Sequence, residues 1–283
     1  MTSGPVLTGV EKMIELPDAD LHIYEAGPRN AEPLVLLHGF LTSAITWRGV
    51  ADALSESHRV IVVDLPGCGG SPDPRAREWT ASRASDLIMG LFDAMTLDRP
   101  TLIGSQMGGS IAAFAAGLHP DRVSRLVIMA AGALGEGAAN LTLYRALATP
   151  VLGPVLAAAF PRGAFTKKWL AAHGSAFVPD HEIIRTYHDQ LRKRGHVMAR
   201  FGLGVRLSYG ESFDALAQHL LGLDVPTLLL FGAADQLVPP STGRRFAELM
   251  PRSRLVLLDG CGDFPQEEAP TEVATQIAAF LAE

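Results

Sequence analysis

A chain of 283 residues is long enough for one large α/β domain, or for a core domain carrying an inserted cap. Hydrophobic residues make up 48% of it, enough for a sizeable core, and a net charge of -6 without long charge runs argues against nucleic acid as a partner. Met1 to Leu16 lacks a cationic segment followed by an apolar one, so no signal peptide is visible. The apolar runs around Val151–Phe160 and Pro226–Gly232 are too short or too interrupted to span a bilayer. Cys68 and Cys261 lie far apart and form no metal spacing. The expectation is a soluble cytoplasmic protein with no metal, no cofactor and no membrane partner.

Two alternating segments, roughly Gly9 to Leu16 and Leu21 to Glu25, predict a hairpin. Leu34 to Leu37, bounded by Pro33 and Gly39, reads as a strand buried on both faces. Thr46 to Ser55 has a helical pattern, Arg59 to Asp64 is another buried strand, and Pro66 to Gly70 closes it. Thr80 to Met95 is an amphipathic helix with Thr80 or Ser82 as its N-cap. An apolar strand at Thr101, the helical run Ser110 to Leu118 and a strand over Val123 to Ala130 continue the alternation, which implies right-handed crossovers and a doubly wound sheet. Between Gly132 and Ala217 the pattern turns all-helical, with predicted helices at Leu141–Leu147, Phe165–Ala172, His181–Arg194 and His196–Leu203. The alternation resumes with strand Thr227–Phe231, helix Thr242–Met250, strand Arg254–Leu258 and helix Thr271–Leu281.

The chain is organised around Thr101 to Gly109, where a strand enters a tight turn and then a helix. Gly104 and Gly108 stand two residues either side of Gln106, the spacing of the nucleophile elbow G-x-S-x-G. Four further landmarks occur in order. They are His38-Gly39-Phe40, Asp64 to Ser71, Phe231 to Asp235 with Val238-Pro239, and Gly262-Asp263-Phe264-Pro265 with Glu268 and Pro270. Together they resemble the α/β-hydrolase superfamily over nearly the whole chain, with similarity to its epoxide hydrolases and C–C hydrolases. The resemblance implies the α/β-hydrolase fold, with a mainly parallel eight-stranded sheet flanked by helices. Residues 1–131 and 218–283 would be the core, and 132–217 the helical cap. It also implies backbone oxyanion donors at Phe40 and Met107, and the acid of the catalytic triad at Asp235.

Two departures alter the chemistry. Gln106 occupies the nucleophile position, and a carboxamide is too weak a nucleophile for acyl transfer. Asp263 occupies the histidine position, and no histidine follows His219. His38 is a pocket-side candidate, although in this family that residue usually orients the loop backbone. Ser105 and Ser110 flank the apex and are expected to point away from the pocket; neither Cys68 nor Cys261 has an electropositive neighbour to make a thiolate.

Gln106 is long where serine is short, and Asp263 short where histidine is long, so the amide can reach the carboxylate. Asp235 beside Asp263 should raise one carboxyl pKa, which suits general acid-base chemistry. The reading is a cofactor-independent enzyme without a covalent intermediate, opening and cyclising an epoxide in an apolar, polyketide-like or acyl substrate to an oxygen heterocycle. Tyr144 and Tyr187 are candidate acids in the cap, and Trp169 a candidate pocket residue. The partner would be a small apolar substrate, free or carrier-bound; oligomeric state is left open. The alternatives are a catalytically inactive ligand-binding pseudohydrolase, or a hydrolase inactivated by mutation.

Overall fold

The computed structural model describes residues 7–132, 141–210 and 212–283. The expected hairpin is present as β1 (Val10–Ile14) and β2 (Leu21–Ala26), paired antiparallel. β3 (Pro33–Leu37), α1 (Arg48–Ser55), β4 (Arg59–Val63), α2 (Ala81–Ala94), β5 (Thr101–Ser105), α3 (Met107–Leu118) and β6 (Leu126–Met129) follow. Then come α4 (Leu141–Ala148), α5 (Leu152–Ala158), α6 (Arg162–Ala171), α7 (His181–Leu207) and α8 (Asp214–Leu220). The chain closes with β7 (Thr227–Gly232), α9 (Pro240–Leu249), β8 (Ser253–Leu258), α10 (Pro265–Glu268) and α11 (Pro270–Leu281). Among the described residues no single helix is long and apolar enough to cross a membrane.

The described strands form one eight-stranded sheet in the order β1-β2-β4-β3-β5-β6-β7-β8, parallel from β4 to β8. The uninterrupted apolar runs have a direct cause. Val35, Leu37, Leu102 and Leu229 face one helix layer, while Leu34, Leu36, Ile103 and Leu230 face the other. With helices on both faces, a central strand has no solvent side to make polar. Thr80 caps α2, its hydroxyl accepting from Arg83 N at 3.1 Å, and so settles the choice left between Thr80 and Ser82.

Three expectations change. The strand expected over Val123–Ala130 is confined to Leu126–Met129, and Ala130 leaves it with φ 44°. The two helices expected either side of Gly195 are one helix, α7, of 27 residues. Glycine costs a helix about 1 kcal/mol against alanine, too little to break α7 here. A Cβ at Gly195 would meet the tip of Leu191 and come into contact with Ala157 of α5. The third change is α5, a helix within the apolar run 151–160.

Helices α4 to α7 lie between β6 and α8 in the chain. Phe165, Trp169, Tyr187 and Leu191 of α6 and α7 make a hydrophobic cluster that also takes in Phe264 from the loop after β8. α8 packs instead on α3 and α9, and Ala217 falls inside it.

Candidate active site

β5 delivers Gln106 into the turn with φ 51° and ψ -114°, a conformation that costs a non-glycine residue on the order of 1–3 kcal/mol. The surroundings hold it there. Gln106 N donates to Met129 O at 2.8 Å, and Ser110 N donates to Gln106 O at 3.0 Å. A Cβ at Gly104 would overlap Gly108 O, and one at Gly108 would overlap Leu37 O, so the turn closes only with glycine on both sides of the apex.

The Gln106 carboxamide bridges two loops. Its Nε2 donates to Asp263 Oδ2 and, at 3.2 Å, to the Asp263 backbone carbonyl. A backbone carbonyl can only accept, which sets the nitrogen end of the amide toward Asp263. The oxygen end lies over Gly39, where any Cβ would overlap Oε1. Phe40 and Met107 both line the cavity beside it. Neither backbone N–H is taken by a backbone acceptor outside the helix and strand ladders.

Asp235 and Asp263 are both buried. Asp235 Oδ1 accepts from Leu237 N at 2.8 Å and Val238 N at 2.9 Å. Its Oδ2 and Asp263 Oδ1 are buried without a hydrogen-bond partner. Burial pushes the Asp235 carboxyl up to about 6 against the pull of its two backbone donors. Asp263 is raised well above the ordinary carboxylate range, by burial first and then by the charge of Asp235, with the Gln106 amide opposing. Asp235 therefore ionises first, and Asp263 is the member of the pair that keeps its proton. Glu268 holds this loop, accepting from Gly262 N, Phe264 N and Gly174 N, the last across from the segment after α6.

An apolar cavity of about 710 Å³ lies beneath α4, α6 and α7, and Gln106, Asp263, Tyr144 and Trp169 line it. Tyr144 meets Phe40 edge-on at 4.7 Å, and burial together with the Asp263 charge raises its phenol pKa. Trp169 packs on Phe264 at 4.3 Å and on Tyr187 at 4.9 Å.

His38 and Tyr187, expected as pocket residues, are not brought to the cavity. His38 Nδ1 donates to Gly39 O at 2.7 Å and its Nε2 accepts from Leu65 N at 3.0 Å, so both ring nitrogens are spent on loop backbone. Tyr187 is fully buried and donates to Glu267 Oε1 at 2.7 Å. The same Oε1 accepts from Thr46 Oγ1, and Gln266 links Thr46 to Ser105. Tyr187→Phe is expected to cost about 2 kcal/mol by leaving a charged acceptor short of a donor. Thermal melting should show this as a loss of several degrees, and a midpoint equal to the parent's would remove the bond from the stability account.

Ser110, expected to point away, lines the cavity instead. It stands four residues after Gln106 on α3, and positions i and i+4 share a helix face. Its Oγ donates to Gln106 O at 3.2 Å. Burial raises the Cys261 thiol to about 11 and the Cys68 thiol further, so neither is a thiolate. Arg206, Tyr209 and Gln236 also line the cavity, and the sequence did not mark them. A cation or tyrosine on an amphipathic helix reads as surface or packing until the opposite wall is known.

An elbow between β5 and α3, backbone donors opposite it, and a carboxylate after β7 facing the loop after β8 define a protein of the α/β-hydrolase type. The chain belongs to the α/β hydrolase fold family, whose model matches residues 32–270. It is 28% identical over 265 residues to the uncharacterized hydrolase YugF of Bacillus subtilis (strain 168), covering 88% of this chain and 90% of that protein. It is likewise 28% identical over 273 residues to 2-hydroxymuconate semialdehyde hydrolase of Pseudomonas sp. (strain CF600), covering 89% of this chain and 87% of that protein. Among solved structures, the 2-hydroxy-6-oxo-6-phenylhexa-2,4-dienoate hydrolase of Rhodococcus sp. strain RHA1 superposes with a TM-score of 0.81. That match has 21% identity and covers 98% of this chain and 100% of the other.

Proposed function

We propose that the chain is an enzyme that moves protons within its substrate without a covalent intermediate, at a site of Gln106, Asp263 and Asp235. The observation carrying this reading is the hydrogen bond from Gln106 Nε2 to Asp263 Oδ2. It joins the elbow apex to the loop after β8 and leaves neither a nucleophile nor an imidazole between them. The carboxamide oxygen stands over Gly39. Acyl transfer is disfavoured by chemistry, because a carboxamide is too weak a nucleophile.

Proton transfer is favoured. The Gln106 amide donates into Oδ2, which leaves Oδ1 of Asp263 to carry the proton, and burial, with the Asp235 charge second, keeps it there. In its concrete form the reaction opens an epoxide by a hydroxyl of the same molecule. The hydroxyl oxygen bonds to an epoxide carbon as that carbon's C–O bond breaks. The released oxygen takes the Asp263 proton, and the hydroxyl proton returns to Asp263. Substrate and product are isomers, and the product is an oxygen heterocycle.

The test uses alkyl hydroxy-epoxides in ¹⁸O-water, followed by mass spectrometry. Cyclic ether without ¹⁸O is expected from the parent. Asp263→Asn should remain folded and turn over at least ~100-fold more slowly. An unchanged rate removes Asp263 from the mechanism, and a labelled triol replaces cyclisation with hydrolysis. Saturable binding with no turnover on any member would leave a ligand-binding protein.

A further inference from the structure

The cavity has a second polar end, built from residues the proton chemistry does not use. Arg206, in the last turn of α7, and Tyr209, just beyond it, both line the cavity. The Arg206 guanidinium lies 3.9 Å from the Phe213 ring centroid, and its Nη1 donates to Gly210 O at 3.2 Å. Burial lowers its pKa, and the charge interaction it has is with the Tyr209 phenol. No acid among the described residues forms an ion pair with it. Tyr209 is 2% exposed, packs on Phe114 at 5.8 Å, and its hydroxyl is buried with no hydrogen-bond partner among the described residues. A phenol hydroxyl in that state is costly unless something bonds to it.

The charge of the lining has the same sense. The whole chain carries a net -6, yet among the described residues the cavity wall holds Lys168 and Arg206 against a single acid, Asp263. A half-buried guanidinium that stacks on a ring, with a single hydrogen bond and no acid partner among the described residues, is suited to a planar group with two acceptor oxygens. The adjacent phenol O–H supplies a further donor. Elsewhere the wall is largely apolar, with Leu143, Leu147, Phe165 and Trp169.

We infer that Arg206 and Tyr209 form a carboxylate-binding subsite, and that the molecule held under α4 to α7 is an apolar organic acid. Its carboxylate sits at this end, its hydrocarbon body crosses the apolar wall, and its reacting group meets Gln106 and Asp263. Only the last placement rests on the proposed proton chemistry, because the subsite itself is read by equilibrium binding.

The experiment is isothermal titration calorimetry at pH 8 with octanoate and its neutral isostere octanamide. Octanoate is expected to bind the parent at least ~10-fold more tightly, the usual worth of a charge-assisted hydrogen bond. Arg206→Gln should erase the preference and Arg206→Lys should keep part of it. Tyr209→Phe should weaken octanoate by roughly 5-fold, the loss of one hydrogen bond. Arg200→Gln, which removes an exposed cation outside the cavity wall, should leave the preference intact. Equal affinity for the two probes in the parent, a preference that survives Arg206→Gln, or no binding of either probe overturns the subsite. Those results leave the Asp263→Asn turnover test untouched, so the two readings fail separately.

Discussion

The double variant Gln106→Ser with Asp263→His is expected to hydrolyse p-nitrophenyl butyrate with a burst of product, at least ~100-fold faster than either single variant. The parent should show no burst and no labelling by serine-directed phosphonates. The reason for a large effect is how much of the machinery already stands in place. The apex is held at φ 51° by Met129 O and the Ser110 N–H, Asp235 Oδ1 is pinned by two backbone donors, and the Phe40 and Met107 N–H groups flank the cavity. The exchange also conserves reach, since a long apex and short partner become a short apex and long partner. Moving the carboxamide off Gly39 frees the space over that loop. Each single variant leaves half a pair: a serine without a base, or a histidine facing an amide. A folded double variant no faster than either single would mean that positions 106 and 263 cannot act on one substrate. The time course is to be read beside circular dichroism of all four proteins.

Asp235→Asn is expected to stabilise the folded chain at pH 8 and to do little at pH 4. Burial raises the folded pKa of Asp235 from 3.8 to about 6. A carboxyl whose folded pKa is raised favours the folded state only while both states are protonated. Below the unfolded value it therefore carries no penalty. Stability falls as pH rises from about 4, and the full cost is reached above about 6. A shift of that size corresponds to ~3 kcal/mol, an upper range for what asparagine can recover at pH 8. Thermal melts at both pH values measure it, with a gain of several degrees expected at pH 8. A midpoint at pH 8 equal to or below the parent's would mean that the Leu237 and Val238 N–H bonds need the charge more than burial opposes it. The same change removes one cause of the raised Asp263 pKa, so carbon-13 NMR of the Asp263 carboxyl should show it titrating at lower pH.

The layered architecture and the chain order of the site are legible in the amino-acid sequence alone. Runs such as Leu34–Leu37 and Thr227–Phe231 must lie between two helix layers, because no strand so apolar can show a face to water. Gly104 and Gly108 could be read as an elbow because only glycine fits where backbone meets backbone. Gln106, Asp235 and Asp263 could be named because they fill positions in a spaced pattern, and complementary side-chain lengths were enough to anticipate a bond between the first and the last. Which polar groups meet depends on the packing of distant segments. Tyr187 reaches Glu267, 80 positions away, and His38 serves Leu65 N, while Ser110 turns into the cavity and Arg206 comes to lie beside Tyr209. Periodicity says which side of a helix is apolar, and it says nothing about what stands opposite. Gly195 shows the limit in the other direction, since a residue that locally favours a break lies inside a continuous 27-residue helix. Its lost propensity is about 1 kcal/mol, small beside the packing of α7 on α4 and α5, which segments tens of residues earlier supply.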